Sequence, residues 1–143
     1  MGFFSSMEIS SSALSAQRLR LELISSNLAN INTTRTAEGG PYQRKDVVFK
    51  AAQTSFRSIL DDELAGKTPG VSVDRIYKDP RPFSLKFEPN HPDADASGYV
   101  AYPNINLIEE MVNMISATRS FEANISVLEA AKTMSMRSIE IGV

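Results

Sequence analysis

Glu88 and the run His91-Pro92-Asp93-Ala94-Asp95 hold the groups in this sequence best placed to move a proton or grip a cation. An imidazole beside carboxylates can share a proton, and two carboxylates at i and i+2 can hold a hard cation. A calcium loop of the EF-hand kind needs further oxygen ligands and a distal Glu at fixed spacing, whereas Ser97, Gly98, Tyr99 and Val100 follow here and break the pattern. Asp and Asn set among prolines close turns, so the run reads as a solvated, structured loop. An enzyme reading would rest on His91, Asp93 and Asp95, but the chain holds a single His and no Gly-x-Ser-x-Gly elbow. Cysteine is absent, which excludes disulfides, thiolate metal sites and a Cys nucleophile. No catalytic residue, metal-ligand set or cofactor site is assigned.

Two other clusters invite a binding reading and resist it. Gly39-Gly40-Pro41 could turn backbone N–H groups toward a phosphate, yet no Lys-Ser or Lys-Thr follows at P-loop spacing, so it is read as a turn. Arg44-Lys45 beside Tyr42 could touch an acidic partner or RNA, but two adjacent cations are read as a solvated strand entrance. A net charge of -2, from 15 basic and 17 acidic residues, makes no field that would gather nucleic acid. No run approaches the roughly 20 apolar residues of a membrane span, and the start Met1-Gly2-Phe3-Phe4-Ser5-Ser6 lacks a basic leader, so neither membrane insertion nor a cleaved signal is expected.

The elements that must carry any function lie at the two ends. From Ser5 to Ile31 there is no Pro or Gly, and Met7, Leu14, Leu21 and Leu28 recur every seventh residue with Gln17, Ile24 and Ile31 beside them. Asn27, Asn30, Asn32, Thr33 and Thr34 favour leaving the helix there. A second zone opens after Pro103, with Asn104 as N-cap and Glu109 and Glu110 near the positive helix end. Its rows are Leu107, Met114, Phe121, Leu128 and Met111, Thr118, Ile125, Ile139, interrupted by Lys132. Between the zones, Val47-Val48-Phe49, Val71-Ser72-Val73 and Phe83 to Phe87 read as short strands, Ala51 to Leu64 as a short amphipathic helix, and Lys67 to Gly70 and Asp79 to Pro82 as turns.

The expected fold is therefore mainly α with a small β/loop insertion, its long N- and C-terminal helices paired as an antiparallel coiled-coil-like hairpin. The parts are 1–34, the N-terminal helix; 35–102, a small β-rich or irregular middle zone; and 103–143, the C-terminal helix. The alternative, both helices packed on a compact α+β core, is disfavoured because helices of roughly 40 to 55 Å outreach the ~30 Å width of a small domain. Part of each stripe is then free for neighbours. The expected assembly interface is Met7, Leu14, Leu21, Ile24, Leu28, Ile31, Leu107, Met111, Met114, Phe121, Ile125 and Leu128. Met111, Met114, Met134 and Met136 could make an adaptable docking face, though Met at helical spacing also fills cores.

Ser25-Ser26-Asn27-Leu28-Ala29-Asn30 through Thr36 resembles the signature that ends the N-terminal helix of flagellar rod and hook proteins. Gly39 to Phe49, His91 to Ala96, and Gly98-Tyr99-Val100-Ala101-Tyr102-Pro103-Asn104-Ile105-Asn106 onward through Met114 are similar to the proximal-rod members of the flagellar basal-body rod family. The likeness covers about residues 1–50 and 75–134; the departures are a short middle zone and the ending Ser135-Met136-Arg137-Ser138, where a more Leu-rich finish is expected. It implies a non-enzymatic structural subunit of the proximal rod of the bacterial flagellar basal body, transmitting torque in motility. It further implies export through the flagellar type III apparatus without a cleaved signal peptide, residence in the periplasmic space, and helical packing with copies of itself and other rod proteins of the flagellar axis. No cofactor, nucleic acid or direct membrane insertion is implied. The rival reading is a soluble coiled-coil adaptor that binds a partner helix.

Overall fold

The computed structural model describes residues 3–52 and 70–141. Helix α1 runs Phe3–Ala29 and helix α2 Leu107–Ile141, about 40 and 52 Å long at 1.5 Å per residue. Strand β1 is Lys45–Ala51, β2 Val71–Lys78, β3 Ser84–Phe87 and β4 Tyr99–Tyr102. β1 pairs antiparallel with β2, and β3 antiparallel with β4, in two separate two-stranded sheets.

Each boundary has a local cause. The end of α1 tightens as the Asn30 N–H bonds both Ser26 and Asn27 carbonyls, and the Asn30 side-chain amide donates to Ser26 O at 2.8 Å. Gly39 and Gly40, at φ 89° and 74°, then allow the turn in which Thr36 N–H reaches Gly40 O. The β1–β2 register shifts between Val48 and Phe49, where Arg75 and Val73 are the partners and Asp74 is the extra residue of a bulge. The helix α2 is capped by Asn106, whose Oδ1 accepts the Ile108 N–H at 3.0 Å, so the cap lies two residues beyond the expected Asn104.

The expected fold class is corrected on two counts. The β material is four strands in two antiparallel sheets rather than a small insertion, so the chain is α+β. β4 was hidden because Tyr99-Val100-Ala101-Tyr102 is short and runs almost directly into a helix, and β2 continues past Val73 through Asp74 and Arg75, charged residues that an exposed strand tolerates. The helices do lie side by side in opposite directions, Asn27 near the end of α1 meeting Glu110 at the start of α2. Their contact is not coiled-coil-like, because its buried members are Ser10, Ala16, Ile24 and Asn27 on α1 and Glu110, Ala117 and Ala131 on α2. Small and polar side chains bring the backbones together, leaving the Leu and Met rows only half-covered or exposed.

The expected helix from Ala51 to Leu64 lies outside the described residues beyond Ala52, as do residues 67–69 of the expected Lys67 to Gly70 turn; Ala51 itself ends β1. The Asp79 to Pro82 turn is present, Asp79 Oδ1 accepting the Arg81 N–H at 3.0 Å. β2 docks on α1 through one close approach, in which Ser12 Oγ donates to Ile9 O at 2.7 Å and accepts the Val71 N–H at 3.0 Å. Gly70 is required there, since a Cβ on it would stand 2.5 Å from Ser12 Oγ.

Candidate assembly interface

Where α1, β1 and α2 converge, the interior is polar. Asn27 is fully buried and every hydrogen-bonding position of its amide is filled. Its Nδ2 donates to Lys45 O at 2.8 Å and to Glu110 Oε2 at 3.1 Å, while its Oδ1 accepts the Lys45 N–H at 2.9 Å and the Tyr42 hydroxyl at 3.1 Å. Ser26 Oγ lies 3.2 Å from that hydroxyl and supplies it with a proton. Glu110, with no accessible surface, also receives Arg44 Nε at 2.7 Å, and Arg44 Nη1 bonds Asp46 Oδ2 at 2.9 Å.

Arg44 is thus no solvated strand entrance, which corrects the expectation for Arg44-Lys45. Its side chain is 9% exposed, with Asp79 3.9 Å away beside Arg81 as a further carboxylate. Burial works against its charge, but the hydrogen bonds to Glu110 and Asp46 outweigh it, so the guanidinium holds its proton more tightly than usual. Asp79 is held below its ordinary range chiefly by the hydrogen bond from Arg81. The sequence does carry a faint signal of this junction: Asn27 stands three residues after Ile24 on the apolar side of α1, and Glu110 shares its heptad row with Ala117 and Ala131.

The chemistry-bearing loop is spent on its own shape. Asp93 accepts the Thr34 hydroxyl at 2.9 Å and pairs with Arg35 at 3.1 Å, Asp95 Oδ1 accepts the N–H groups of Ser97 and Tyr99, and Glu88 takes the Tyr102 hydroxyl at 2.9 Å. His91 Nδ1 accepts the Asp93 N–H. Among the described residues no three His, Asp or Glu side chains converge as a metal site. A recess of about 480 Å³ lies over the Gly39-Gly40 turn, between Tyr42, Lys45, Lys78 and Phe83, and its Lys78 is already paired with Glu38 at 2.8 Å.

The surface is where unpartnered groups gather. On α2, Leu107, Ile108, Met111, Val112 and Ile115 stand out along the first turns, Ile108 being 72% exposed, and Ile125, Val127, Met134, Met136 and Ile139 follow toward the far end. On the β3–β4 hairpin the register places Leu85, Phe87, Tyr99 and Ala101 on one face, with Leu85 66% and Phe87 64% exposed, while Val100 on the other face is fully buried. Phe87 meets Tyr99 edge-to-face at 5.4 Å. Single exposed apolar residues are ordinary in folded proteins, but runs of this extent mark contact surfaces.

Of the twelve residues expected at an interface, Met7, Leu107, Met111 and Ile125 are exposed. Leu14, Leu21, Leu28, Ile31, Met114, Phe121 and Leu128 are half-buried, and Ile24 is buried in the subunit itself. Sequence reading missed Ile108, Val112 and Ile115, whose i, i+4, i+7 spacing makes a row of its own one position away from Leu107. The hairpin face was likewise not among the expected residues, since alternation in Phe83 to Phe87 marks a strand without saying which side turns inward.

Comparison with known proteins bears on the same segments. Residues 7–35 match the family model described as Flagella basal body rod protein, and residues 96–141 that described as Flagellar basal body rod FlgEFG protein C-terminal. The flagellar basal-body rod protein FlgC of Bacillus subtilis is 44% identical over 149 residues, 99% of each chain. Its counterpart in Borreliella burgdorferi is 43% identical over 152 residues, 99% of this chain and 98% of the relative, and that of Salmonella typhimurium 39% over 142 residues, 99% of each.

Proposed function

The chain belongs to the flagellar basal-body rod protein family, and from that premise we propose that it is a structural subunit of the proximal rod, joined to its neighbours through the outward apolar faces of its terminal helices. The observation that carries this reading is the uncovered stripe Leu107, Ile108, Met111, Val112 and Ile115 on α2. Burying an apolar side chain contributes on the order of 1.5–3 kcal/mol, so a surface of this kind gains by meeting another subunit.

In this reading residues 1–34 and 103–143 supply the helical packing surfaces, 35–102 the β-containing part, and the expected residues other than the buried Ile24 the contacts that the exposed stripe extends. Copies of the chain and other rod proteins of the flagellar axis pack laterally, and torque passes through many packed helices at once. The subunit acts without catalysis or cofactor, and reaches the periplasmic segment of the basal body through the flagellar type III apparatus without cleavage of a signal. Among the described residues no helix is long and apolar enough to cross a membrane.

The test uses residues exposed in the subunit, Met111→Asp and Ile125→Asp. Purified variants are expected to keep the wild-type circular dichroism and melting curve, while cells carrying either lose rods in basal-body preparations and do not swim. Wild-type swimming by both variants would overturn the proposal.

A further inference from the structure

The contact between α1 and α2 repeats along its length. On α1 the row Ser10, Gln17, Ile24 recurs every seven residues, and on α2 the row Glu110, Ala117, Asn124, Ala131 does the same; Ser10, Ile24, Glu110, Ala117 and Ala131 are buried. The alanines of the α2 row present little relief, and apolar burial has no direction that would tell one alignment from the next. Sliding α2 by one heptad, about 10 Å, would bring Ala117 to the place of Glu110, Asn124, whose amide bonds Ser120 O within its own helix, to that of Ala117, and Ala131 to that of Asn124.

One group does distinguish the alignments. Glu110 is the only member of its row with a carboxylate, and it meets Asn27 Nδ2 of α1 and Arg44 Nε just before β1. Asn27 is in turn fastened to the Lys45 backbone by two hydrogen bonds, so α1 and β1 form one frame against which Glu110 is read. We infer that Glu110, through Arg44 and Asn27, is the positioning residue that selects the register of α2 on α1 and β1. A buried ion pair gives up hydration to form and can be replaced by packed apolar groups without loss of stability, whereas a single buried polar group fixes register in helical pairs. The junction therefore selects one alignment, and exchanging its ion pair as a whole for apolar groups costs little stability even though removing a single partner costs much. An alignment off by a heptad would move the exposed α2 residues about 10 Å relative to the sheets. This inference concerns the subunit alone and stands whether or not the assembly proposal holds.

The chain has no cysteine, so cysteines placed at exposed Ser25 on α1 and exposed Glu129 on α2 accept spin labels specifically. Pulsed dipolar spectroscopy on the full-length labelled protein should give one narrow distance. The double variant Glu110→Leu with Arg44→Met is expected to melt cooperatively, below the wild type because one Asn27 N–H and Asp46 lose a partner, yet to show a second distance displaced by about 10 Å, the rise of one heptad. Glu110→Gln keeps a carbonyl acceptor for Arg44 and should retain the single distance. A folded double variant with only the wild-type distance would overturn the inference. So would loss of cooperative melting in the double variant, which would make the junction an element of stability.

Discussion

Replacing Asn27 by Ala is the sharpest test of the polar junction. The substitution leaves Lys45 N–H, Lys45 O, the Tyr42 hydroxyl and one oxygen of Glu110 without their partner. A neutral hydrogen bond is worth about 0.5–1.5 kcal/mol net and one to a charged group about 1.5–3 kcal/mol, so simple addition gives about 3–7 kcal/mol. Lys45 is only half-buried and water can serve its backbone in part, and bonds within one network do not add, which brings the expectation to about 3–4 kcal/mol. Against a total stability of about 5–15 kcal/mol that is a large share. In urea, with a slope near 2 kcal/mol per molar, the midpoint should fall by about 1.5–2 M at unchanged slope, followed by circular dichroism. Asn32→Ala, at an exposed position in the same signature, should stay within about 0.5 kcal/mol. A loss below about 1 kcal/mol for Asn27→Ala would refute the claim that the amide holds the three elements together.

Gly70→Ala should destabilise by about 1–3 kcal/mol through overpacking against Ser12, and Ser12→Ala in the same chain should recover part of that loss in a double-mutant cycle. Because Arg81 lowers the Asp79 pKa below its ordinary value near 3.8, the stability it contributes is present above that value and lost as pH falls through the lower folded one. Asp79→Asn should therefore lower the urea midpoint at pH 7 and flatten its decline below about pH 4; an unchanged acid limb would contradict the pairing. Glu88 raises the Tyr102 pKa above 10 by accepting its hydroxyl proton in a hydrogen bond. Ultraviolet titration should thus lose a late-ionising component when Glu88 is replaced by Gln; no change would mean the bond is absent in solution.

Some of this molecule is written in local chemistry. A proline- and glycine-free stretch ending in Asn27-Leu28-Ala29-Asn30 makes a helix that stops where it does because Asn30 bonds back to Ser26, an event within five residues. Alternation in Phe83 to Phe87 and the valines at 47–48 and 71–73 likewise announce strands, because side-chain period is a property of the segment itself. The ordered signatures were enough to point to the rod family. What the chain could not state alone is which face of each element turns inward, since that depends on partners far away in sequence. The heptads suggested Leu and Met rows as the helix seam, yet close approach selected Ser10, Ala16, Ala117 and Ala131 and left Met111 and Ile125 in solvent. Arg44 looked like a surface cation because its neutralising carboxylates, Glu110 and Asp79, lie 66 and 35 positions away. Local geometry is set by torsions and hydrogen bonds between near neighbours, whereas burial and charge pairing are set by whatever the completed fold brings alongside.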